Sequence, residues 1–203
     1  MSQEKRIGLY GGTFSPPHIG HMHAAKTFLT QGEIDELVIM PTYQPPHKVN
    51  KDGTSAADRL AMCRLAFAFS DHITVSDLEI LREGKSYTSD TLRALSREGS
   101  RLVFLCGTDM FLTLDEWHEP EVIFALAEIA CIRRESDEEN DAEIARKAEE
   151  YRARFGAKLR FLTADAIELS SSEIRARIAS GDTTAGLLSD SVGAYIAEKG
   201  LYR

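Results

Sequence analysis

The sequence predicts an α/β protein built around an open parallel sheet. From Arg6 onward, short apolar runs alternate with longer amphipathic segments, which is the order found in successive βα units. No internal repeat or low-complexity linker interrupts the 203 residues, and 43% of them are hydrophobic, enough for one substantial core. We therefore expect a single domain over residues 1–203, with a small helical portion from about residue 170 to the end.

The first half of the chain alternates strand and helix. Residues 7–10 form an apolar run that ends at a glycine pair, and residues 18–29 have helical spacing. Residues 36–40 form a second apolar run that ends at a proline. Residues 56–69 are predicted to be a helix because Leu60, Cys63 and Phe67 form one apolar stripe.

The second half continues this alternation. Strands are predicted for four more short apolar runs, at residues 73–75, 102–106, 129–132 and 159–162. Helices are predicted at residues 90–97, which Gly99 closes, at 171–178 and at 192–198. The charge-rich stretch 135–154 is predicted to be a solvated surface helix. One face carries Ile144, Ala148, Tyr151 and Phe155, and Glu143/Lys147 and Glu150/Arg154 are spaced i,i+4.

Composition limits the classes of partner. The net charge is −8, from 24 Lys+Arg and 32 Asp+Glu, and an acidic surface repels nucleic-acid backbones at long range. No apolar run approaches the roughly 18 residues of a membrane span, and no signal-peptide pattern is present, so we expect a cytoplasmic protein with no membrane partner. Cys63, Cys106 and Cys131 are far apart among apolar neighbours, which indicates buried free thiols.

The main candidate site is Gly-Gly-Thr-Phe-Ser-Pro-Pro-His-Ile-Gly-His, residues 11–21. It follows the first strand, and open parallel sheets bind ligands beyond the carboxyl ends of their strands. Gly11 and Gly12 let backbone amides approach a ligand, and the amide end of the next helix favours phosphate. His18 and His21 are expected on one helix face toward that phosphate, with Gly20 keeping the surface open.

Other interpretations of this segment stay open at this stage. The glycines alone would fit an ordinary tight turn. A metal site formed by His18, His21 and His23 has the right residue type, but His23 lies about 200° around the helix from His21, and no cysteine or carboxylate is near in sequence. At pH 7 a histidine is either neutral or cationic, and an adjacent polyphosphate favours the cation.

Further residues could serve the same chemistry. Lys48, on a long polar loop, is a cation able to reach a phosphate, although an exposed lysine is often only solvated. Asp109 follows a strand end at Gly107 and could accept from ribose hydroxyls or orient Mg²⁺; its alternative role is to form a turn. The serines at 170–172 form a helix N-cap pattern, and Arg175 in the first turns could bind phosphate oxygens.

The residue 11–21 segment resembles the signature of bacterial nicotinate-nucleotide adenylyltransferases, which are nucleotidyltransferases with an H-x-G-H motif. Further landmarks similar to that family follow in order along nearly the whole chain: Pro45-Pro46-His47-Lys48, residues 86–92, Gly107-x-Asp109, Trp117, Arg133 and residues 170–175. The resemblance implies a Rossmann-like fold with helices on both faces of the sheet. It also implies transfer of AMP from ATP to nicotinate mononucleotide, which gives deamido-NAD and pyrophosphate in NAD biosynthesis.

The resemblance also implies roles for individual residues. The catalytic groups would be His18, His21 and Arg175 on the ATP phosphates, with Mg²⁺ bound through those phosphates and, among side chains, at most Asp109 near it. The wider ATP site would include Gly11, Gly12, Thr13, Phe14, Gly20, Gly107, Asp109, Ser170 and Ser171. The mononucleotide site would include Thr13, Lys48, Tyr87, Thr88, Trp117 and Arg133, with the indole stacked on the nicotinate ring.

Two departures and two alternatives accompany the resemblance. Ser15 stands where the family usually has Asp, and Arg134-Glu135 stands where it usually has Pro-Gly. The H-x-G-H loop alone would also suit a pantetheine-phosphate adenylyltransferase or a cytidylyltransferase. A nucleotide-sensing module without turnover is a third interpretation, which the intact histidine pair together with Arg175 disfavours. The sequence leaves the oligomeric state open, a homo-oligomer included.

Overall fold

The computed structural model describes residues 4–46, 53–134, 141–165, 167 and 169–203. Within these ranges, six strands form one sheet: β1 (Lys5–Gly12), β2 (Glu36–Pro41), β3 (Ile73–Val75), β4 (Ser100–Gly107), β5 (Ala127–Arg134) and β6 (Leu159–Ala164). Their order is β3-β2-β1-β4-β5-β6, and the pairs β1/β4, β4/β5 and β5/β6 are parallel. This is the strand order of doubly wound nucleotide-binding sheets, so the predicted Rossmann-like α/β class is confirmed.

In the described ranges, helices follow each of the strands along the chain, and the last two come after β6. The helices are α1 (Ile19–Gln31), α2 (Ala56–Ala66), α3 (Leu78–Arg82), α4 (Thr88–Leu95), α5 (Thr108–Leu112), α6 (Pro120–Leu126), α7 (Asp141–Phe155), α8 (Ser171–Ser180) and α9 (Asp190–Lys199), with a 3₁₀ turn at Leu114–Glu116. All six predicted strands are present, each in place or extended. Helices α3, α5 and α6 were not predicted, since segments of five to seven residues carry little periodic signal.

Three helix predictions need correction. The helix expected at residues 56–69 ends at Ala66, with Phe67 as its C-cap. The helix expected at residues 90–97 covers Thr88–Leu95 instead, because Ser96 already has extended backbone. The helix expected from residue 135 begins at Asp141, and residues 135–140 lie outside the described ranges. Its Glu150–Arg154 pair forms as predicted, at 2.6 Å. Lys147, however, is nearly buried against Asp115 at 2.8 Å and is not part of a solvated face.

The chain divides into two compact units. The first comprises the described residues of Met1–Tyr10, Ala24–Val38 and Tyr87–Ala166. Its buried side chains include Phe28, Val103, Leu105, Ile129 and Cys131. Aromatic rings of α5, α6 and α7 extend this core: Tyr151 lies 5.3 Å from Phe111 and 4.8 Å from Phe124, and Phe124 stacks on Phe155 at 4.6 Å.

The second unit comprises the described residues of Gly11–His23, Ile39–Ser86 and Ile167–Arg203. Helix α2 packs on α9, and the buried side chains there include Met62, Cys63, Phe67, Val192 and Ile196. The Tyr195 hydroxyl donates to Asp58 at 2.9 Å. The three cysteines are free and buried, as predicted. The single nucleotidyltransferase domain expected over residues 1–203 stays a prediction.

Candidate functional site

The segment from Gly11 to His21, called here the histidine loop, joins β1 to α1 in the second unit. Its Phe14 has a left-handed backbone with φ 49° and is only 2% exposed. The Phe14 ring contacts His21 edge-on at 5.0 Å and Phe67 at 5.6 Å. A Cβ added at Gly12 would lie 2.9 Å from the Phe14 ring, so glycine at 12 is required by the packing of the loop itself.

His18 and His21 lie together, as the sequence predicted. Their ring centroids are 3.7 Å apart with the planes tilted by 36°. His18 stands immediately before the first helical residue, and its carbonyl accepts from Met22. The His18 backbone N–H donates to Nδ1 of His21 at 3.2 Å. Since Nδ1 of His21 is an acceptor, the neutral ring carries its proton on Nε2.

Burial makes both histidines neutral in this structure. Removal from water lowers the pKa of His18 to about 4. The pKa of His21 falls to about 3, first through burial and then through the positive charge that His18 would carry. The two imidazoles are therefore uncharged hydrogen-bonding groups at pH 7 until an anion approaches them.

Gly20 supports the position of the His18 ring. A Cβ at residue 20 would lie 3.1 Å from both Cε1 and Nδ1 of His18, so a larger residue would push the imidazole. Among the described residues, Nδ1 of His18 and Nε2 of His23 are buried without a hydrogen-bond partner. No group of three or more metal-ligating side chains occurs within the described ranges, His18, His21 and His23 included.

Residues at the start of α8 form hydrogen bonds with the histidine loop. Ser170 caps the helix by accepting from the Glu173 amide at 3.1 Å, as its N-cap pattern predicted. The Ser171 hydroxyl donates to the Pro16 carbonyl at 3.0 Å. Arg175 donates to the Ser15 carbonyl at 2.8 Å and to the Ser172 hydroxyl at 3.0 Å. The guanidinium predicted to bind phosphate is thus held beside the loop by protein groups.

The side chains of Ser15 and Arg177 each contact another side chain. The Ser15 side chain is 2% exposed, and its hydroxyl pairs with the Tyr202 hydroxyl at 3.1 Å. Arg177 pairs with Glu173 at 3.1 Å on the surface of α8.

A buried arginine was missed by the sequence reasoning. Arg59 of α2 is 1% exposed and donates to the Thr13 carbonyl at 2.9 Å and to the Tyr43 carbonyl at 3.1 Å. It therefore joins the histidine loop to the loop that follows β2. The available signal was its spacing, because Arg59 lies on the same helix face as the buried Met62, Cys63 and Ala66.

The predicted residues Gly107 and Asp109 belong to the first unit. Gly107 ends β4, and α5 begins at the next residue, so Asp109 lies in the first turn of a short helix with its side chain exposed. A Cβ at Gly107 would meet nothing within 4 Å, so packing does not require a glycine there. Lys48 lies outside the described residues.

The predicted mononucleotide residues Tyr87, Thr88 and Trp117 also belong to the first unit. Thr88 begins α4, and the Tyr87 ring stacks on His118 at 4.1 Å. Trp117 is partly exposed and lies edge-on to Phe104 at 6.1 Å. The structure thus brings the Tyr87–Thr88 segment beside the Trp117–His118 segment. His118 was not singled out from the sequence.

Arg133 near the end of β5 forms an ion pair with Asp141 at the start of α7. Both residues line a cavity of about 300 Å³ with Ile144, Ala145, Ala148, Glu149, Arg152 and Phe161. The Nε of Arg133 is buried with no hydrogen-bond partner among the described residues.

No helix in the described part of the chain is long and apolar enough to cross a membrane.

Comparisons with known proteins agree with this architecture. Residues 9–177 match the family model for cytidylyltransferase-like proteins. The chain is 37% identical to a probable nicotinate-nucleotide adenylyltransferase of Pseudomonas paraeruginosa, covering 98% of each chain. It is 35% identical to a protein with the same name from Desulfatibacillum aliphaticivorans, covering 97% of this chain and 99% of that one.

Solved structures show a similar fold. The nicotinic acid mononucleotide adenylyltransferase of Plasmodium falciparum, complexed with NaAD, superposes with a TM-score of 0.75 at 20% identity, covering 98% of this chain and 97% of that chain. The same protein complexed with APC gives 0.74 at the same identity and coverage. At this level of identity the likeness concerns the fold.

Proposed function

The chain belongs to the nicotinate-nucleotide adenylyltransferase family, and on that premise we propose that it transfers the adenylyl group of ATP to nicotinate mononucleotide. The observation that carries this proposal is the pairing of buried His18 with partly buried His21, at the junction between the loop that follows β1 and the start of α1. In a sheet of this strand order, β1 adjoins the position where the order reverses, and ligands bind beyond the carboxyl ends of such strands.

The reaction needs no covalent intermediate with the protein. An oxygen of the mononucleotide 5′-phosphate attacks the α-phosphorus of ATP, the bond from that phosphorus to the bridging oxygen breaks, and pyrophosphate leaves. The products are nicotinate adenine dinucleotide and pyrophosphate. Positioning of the two substrates and stabilisation of the charge that develops on the phosphates provide most of the catalysis.

His18 and His21 are proposed to donate hydrogen bonds to the ATP phosphates. The Nε2–H of neutral His21 is a donor already, because the His18 amide occupies its Nδ1. Negative charge beside buried imidazoles raises their pKa, so phosphate binding favours the cation over the neutral form of the free protein. The protonated histidines would then stabilise the negative charge that develops on the leaving pyrophosphate.

The remaining predicted residues are assigned by the same proposal. Arg175 and the α8 amide end, with Ser170 and Ser171, would bind the outer phosphates, which fits an arginine fixed at the histidine loop. Backbone groups of residues 11–14 and 20, with Gly107 and Asp109, would complete the ATP site. Thr13, Lys48, Tyr87, Thr88, Trp117 and Arg133 would bind nicotinate mononucleotide.

Mg²⁺ is proposed to arrive with ATP as part of the substrate. Its ligands would be phosphate oxygens of ATP, with Asp109 as the one side chain assigned near it. The metal would neutralise phosphate charge during the displacement. A cytoplasmic location is also proposed, on the family membership alone.

The test is pyrophosphate release from ATP and Mg²⁺ with four parallel acceptors: nicotinate mononucleotide, nicotinamide mononucleotide, phosphopantetheine and none. We expect the highest rate with nicotinate mononucleotide. Turnover with phosphopantetheine alone would contradict the proposal and move the chain within the superfamily. ATP binding without turnover of any acceptor would indicate a nucleotide sensor.

The role of the histidines is tested by His21→Ala in the same assay. Loss of one preorganised donor to the phosphates lowers kcat by about 10²- to 10³-fold. The matched control is His72→Ala. His72 is an exposed histidine immediately before β3, so this variant should leave the rate unchanged. A near-normal rate for His21→Ala would remove this residue from the mechanism.

A further inference from the structure

The segment Trp117–Glu119, called here the Trp117 segment, has its backbone direction set by Glu119. This residue has left-handed backbone, with φ 51° and ψ 60°, and is the residue before Pro120, where α6 begins. The Glu119 carbonyl accepts from the amides of Val122 and Ile123, which ties it to the first turn of α6. The chain therefore turns at Glu119 directly after it presents Trp117 and His118.

The Glu119 side chain is held by α4. Arg93 donates from both terminal nitrogens, at 2.6 Å to Oε2 and 2.8 Å to Oε1, in a bidentate pair. The Ser89 hydroxyl donates to Oε2 at 3.1 Å. Two turns of α4 are thus joined to the Trp117 segment through one carboxylate. Tyr87, the residue before α4, adds a ring contact to His118 at 4.1 Å.

The carboxylate stays ionised throughout the neutral range. The hydrogen bond from Arg93 is the largest cause that lowers the pKa of Glu119 to about 2. The side chains of Arg93 and Glu119 remain 44% and 33% exposed, and exposed ion pairs contribute little to global stability. A bidentate, hydroxyl-supported pair in such a place fixes local geometry much more than it stabilises the fold.

We propose that Arg93 and Glu119 are positioning residues that hold the Trp117 segment beside Tyr87 and so set the affinity for nicotinate mononucleotide. The inference rests on the proposed function, in which Trp117, Tyr87 and Thr88 bind the pyridine ring. Neither Arg93 nor Glu119 needs to touch the substrate. Their effect is to keep the indole and the start of α4 at a fixed separation before the ring binds.

Trp117 is the only tryptophan in the sequence, so its fluorescence reports on this segment alone. The variants are Glu119→Gln, Arg93→Ala and the double variant. The matched control is Glu33→Gln, since Glu33 is also a glutamate with positive φ, at 50°, and also pairs with an arginine, Arg160, at 2.9 Å. Each protein is measured for acrylamide quenching, for quenching by nicotinate mononucleotide, and for the KM of both substrates.

We expect Glu119→Gln and Arg93→Ala to increase acrylamide quenching of Trp117 and to raise the KM for nicotinate mononucleotide by about tenfold, which corresponds to about 1.4 kcal/mol. The KM for ATP and the melting temperature should change little, and Glu33→Gln should match the unaltered protein. The double variant should resemble either single variant, because both remove the same contact.

The outcomes separate the two proposals. If the unaltered protein uses nicotinate mononucleotide but the variants keep its KM and the same acrylamide quenching, the positioning role is wrong and the proposed function stands. If the KM values of both substrates rise in parallel with a loss of melting temperature, the pair is merely structural and the inference also fails. If the unaltered protein neither binds nor uses nicotinate mononucleotide, both proposals fall together.

Discussion

The neutral histidine pair predicts a specific dependence of stability on pH. The unfolded chain binds a proton at each histidine near pH 6.5, whereas His18 and His21 in the folded chain bind one only near pH 4 and pH 3. Between these values the unfolded state holds more protons, so the free energy of unfolding falls as the pH falls below 6.5. Above pH 7 both states are neutral, and the two residues contribute no pH dependence.

The magnitude follows from these values. At pH 5, a histidine with a pKa of 6.5 when unfolded and of about 4 or below when folded lowers the free energy of unfolding by about 2 kcal/mol. The pair together should therefore lower it by about 4 kcal/mol between pH 7 and pH 5. The carboxylates with lowered pKa, such as Glu119, act mainly below this window.

The assay is urea unfolding at pH 7, 6 and 5 for the unaltered protein, His18→Gln, His21→Gln and the exposed control His72→Gln. Each of the first two variants should remove about half of the pH dependence, because one buried titrating ring is gone. The control should keep all of it. A loss of less than about 1 kcal/mol in the unaltered protein between pH 7 and 5 would refute the assignment of two buried neutral imidazoles.

Three further outcomes are expected from the packing. Gly12→Ala should lower the free energy of unfolding by about 1–3 kcal/mol, because the added Cβ would lie 2.9 Å from the buried Phe14 ring. Gly107→Ala should change the free energy of unfolding little, because its Cβ would meet nothing within 4 Å. Equal losses for the two variants in urea unfolding would contradict this prediction. Tyr151→Phe should lower the free energy of unfolding by about 1–3 kcal/mol, because the Phe111 carbonyl and the Asp115 carboxylate lose the hydroxyl that lies within 2.9 Å of them. An unchanged unfolding midpoint would show that these acceptors find other donors. Arg59→Met should also lower the free energy of unfolding by about 1–3 kcal/mol, because the carbonyls of Thr13 and Tyr43 lose a buried donor. Arg64→Met, on the exposed face of the same helix, should leave the free energy of unfolding unchanged.

Local patterns in the sequence predicted most of the fold. The six apolar runs correspond to the six described strands, and the apolar signal is clearest in β2 and β4, where five consecutive residues are buried. The serine before α8 marks the start of that helix, since capping depends on residues within one turn. The residue 11–21 motif predicted that His18 and His21 lie together, and their ring centroids are 3.7 Å apart. Their role toward phosphate stays a prediction.

Local patterns failed where partners are distant in sequence. Lys147 was expected to pair with Glu143 four residues away but pairs with Asp115 at 2.8 Å, because α7 packs against the 3₁₀ turn that carries this carboxylate. Arg175 was predicted to bind phosphate, and no local pattern indicated that it also donates to the carbonyl of Ser15, 160 positions away. The short helices α5 and α6 were missed because they are too brief for a periodic signal.

The sequence by itself determined the α/β class, the strands, the longer helices and the identity of the histidine loop, since these depend on residue types over one to four positions. Only the tertiary structure decided that His18 and His21 are neutral, that Arg59 joins two loops and that Arg93 and Glu119 hold the Trp117 segment. The physical reason is that desolvation and hydrogen-bond pairing depend on which distant segments meet, and no local pattern specifies that.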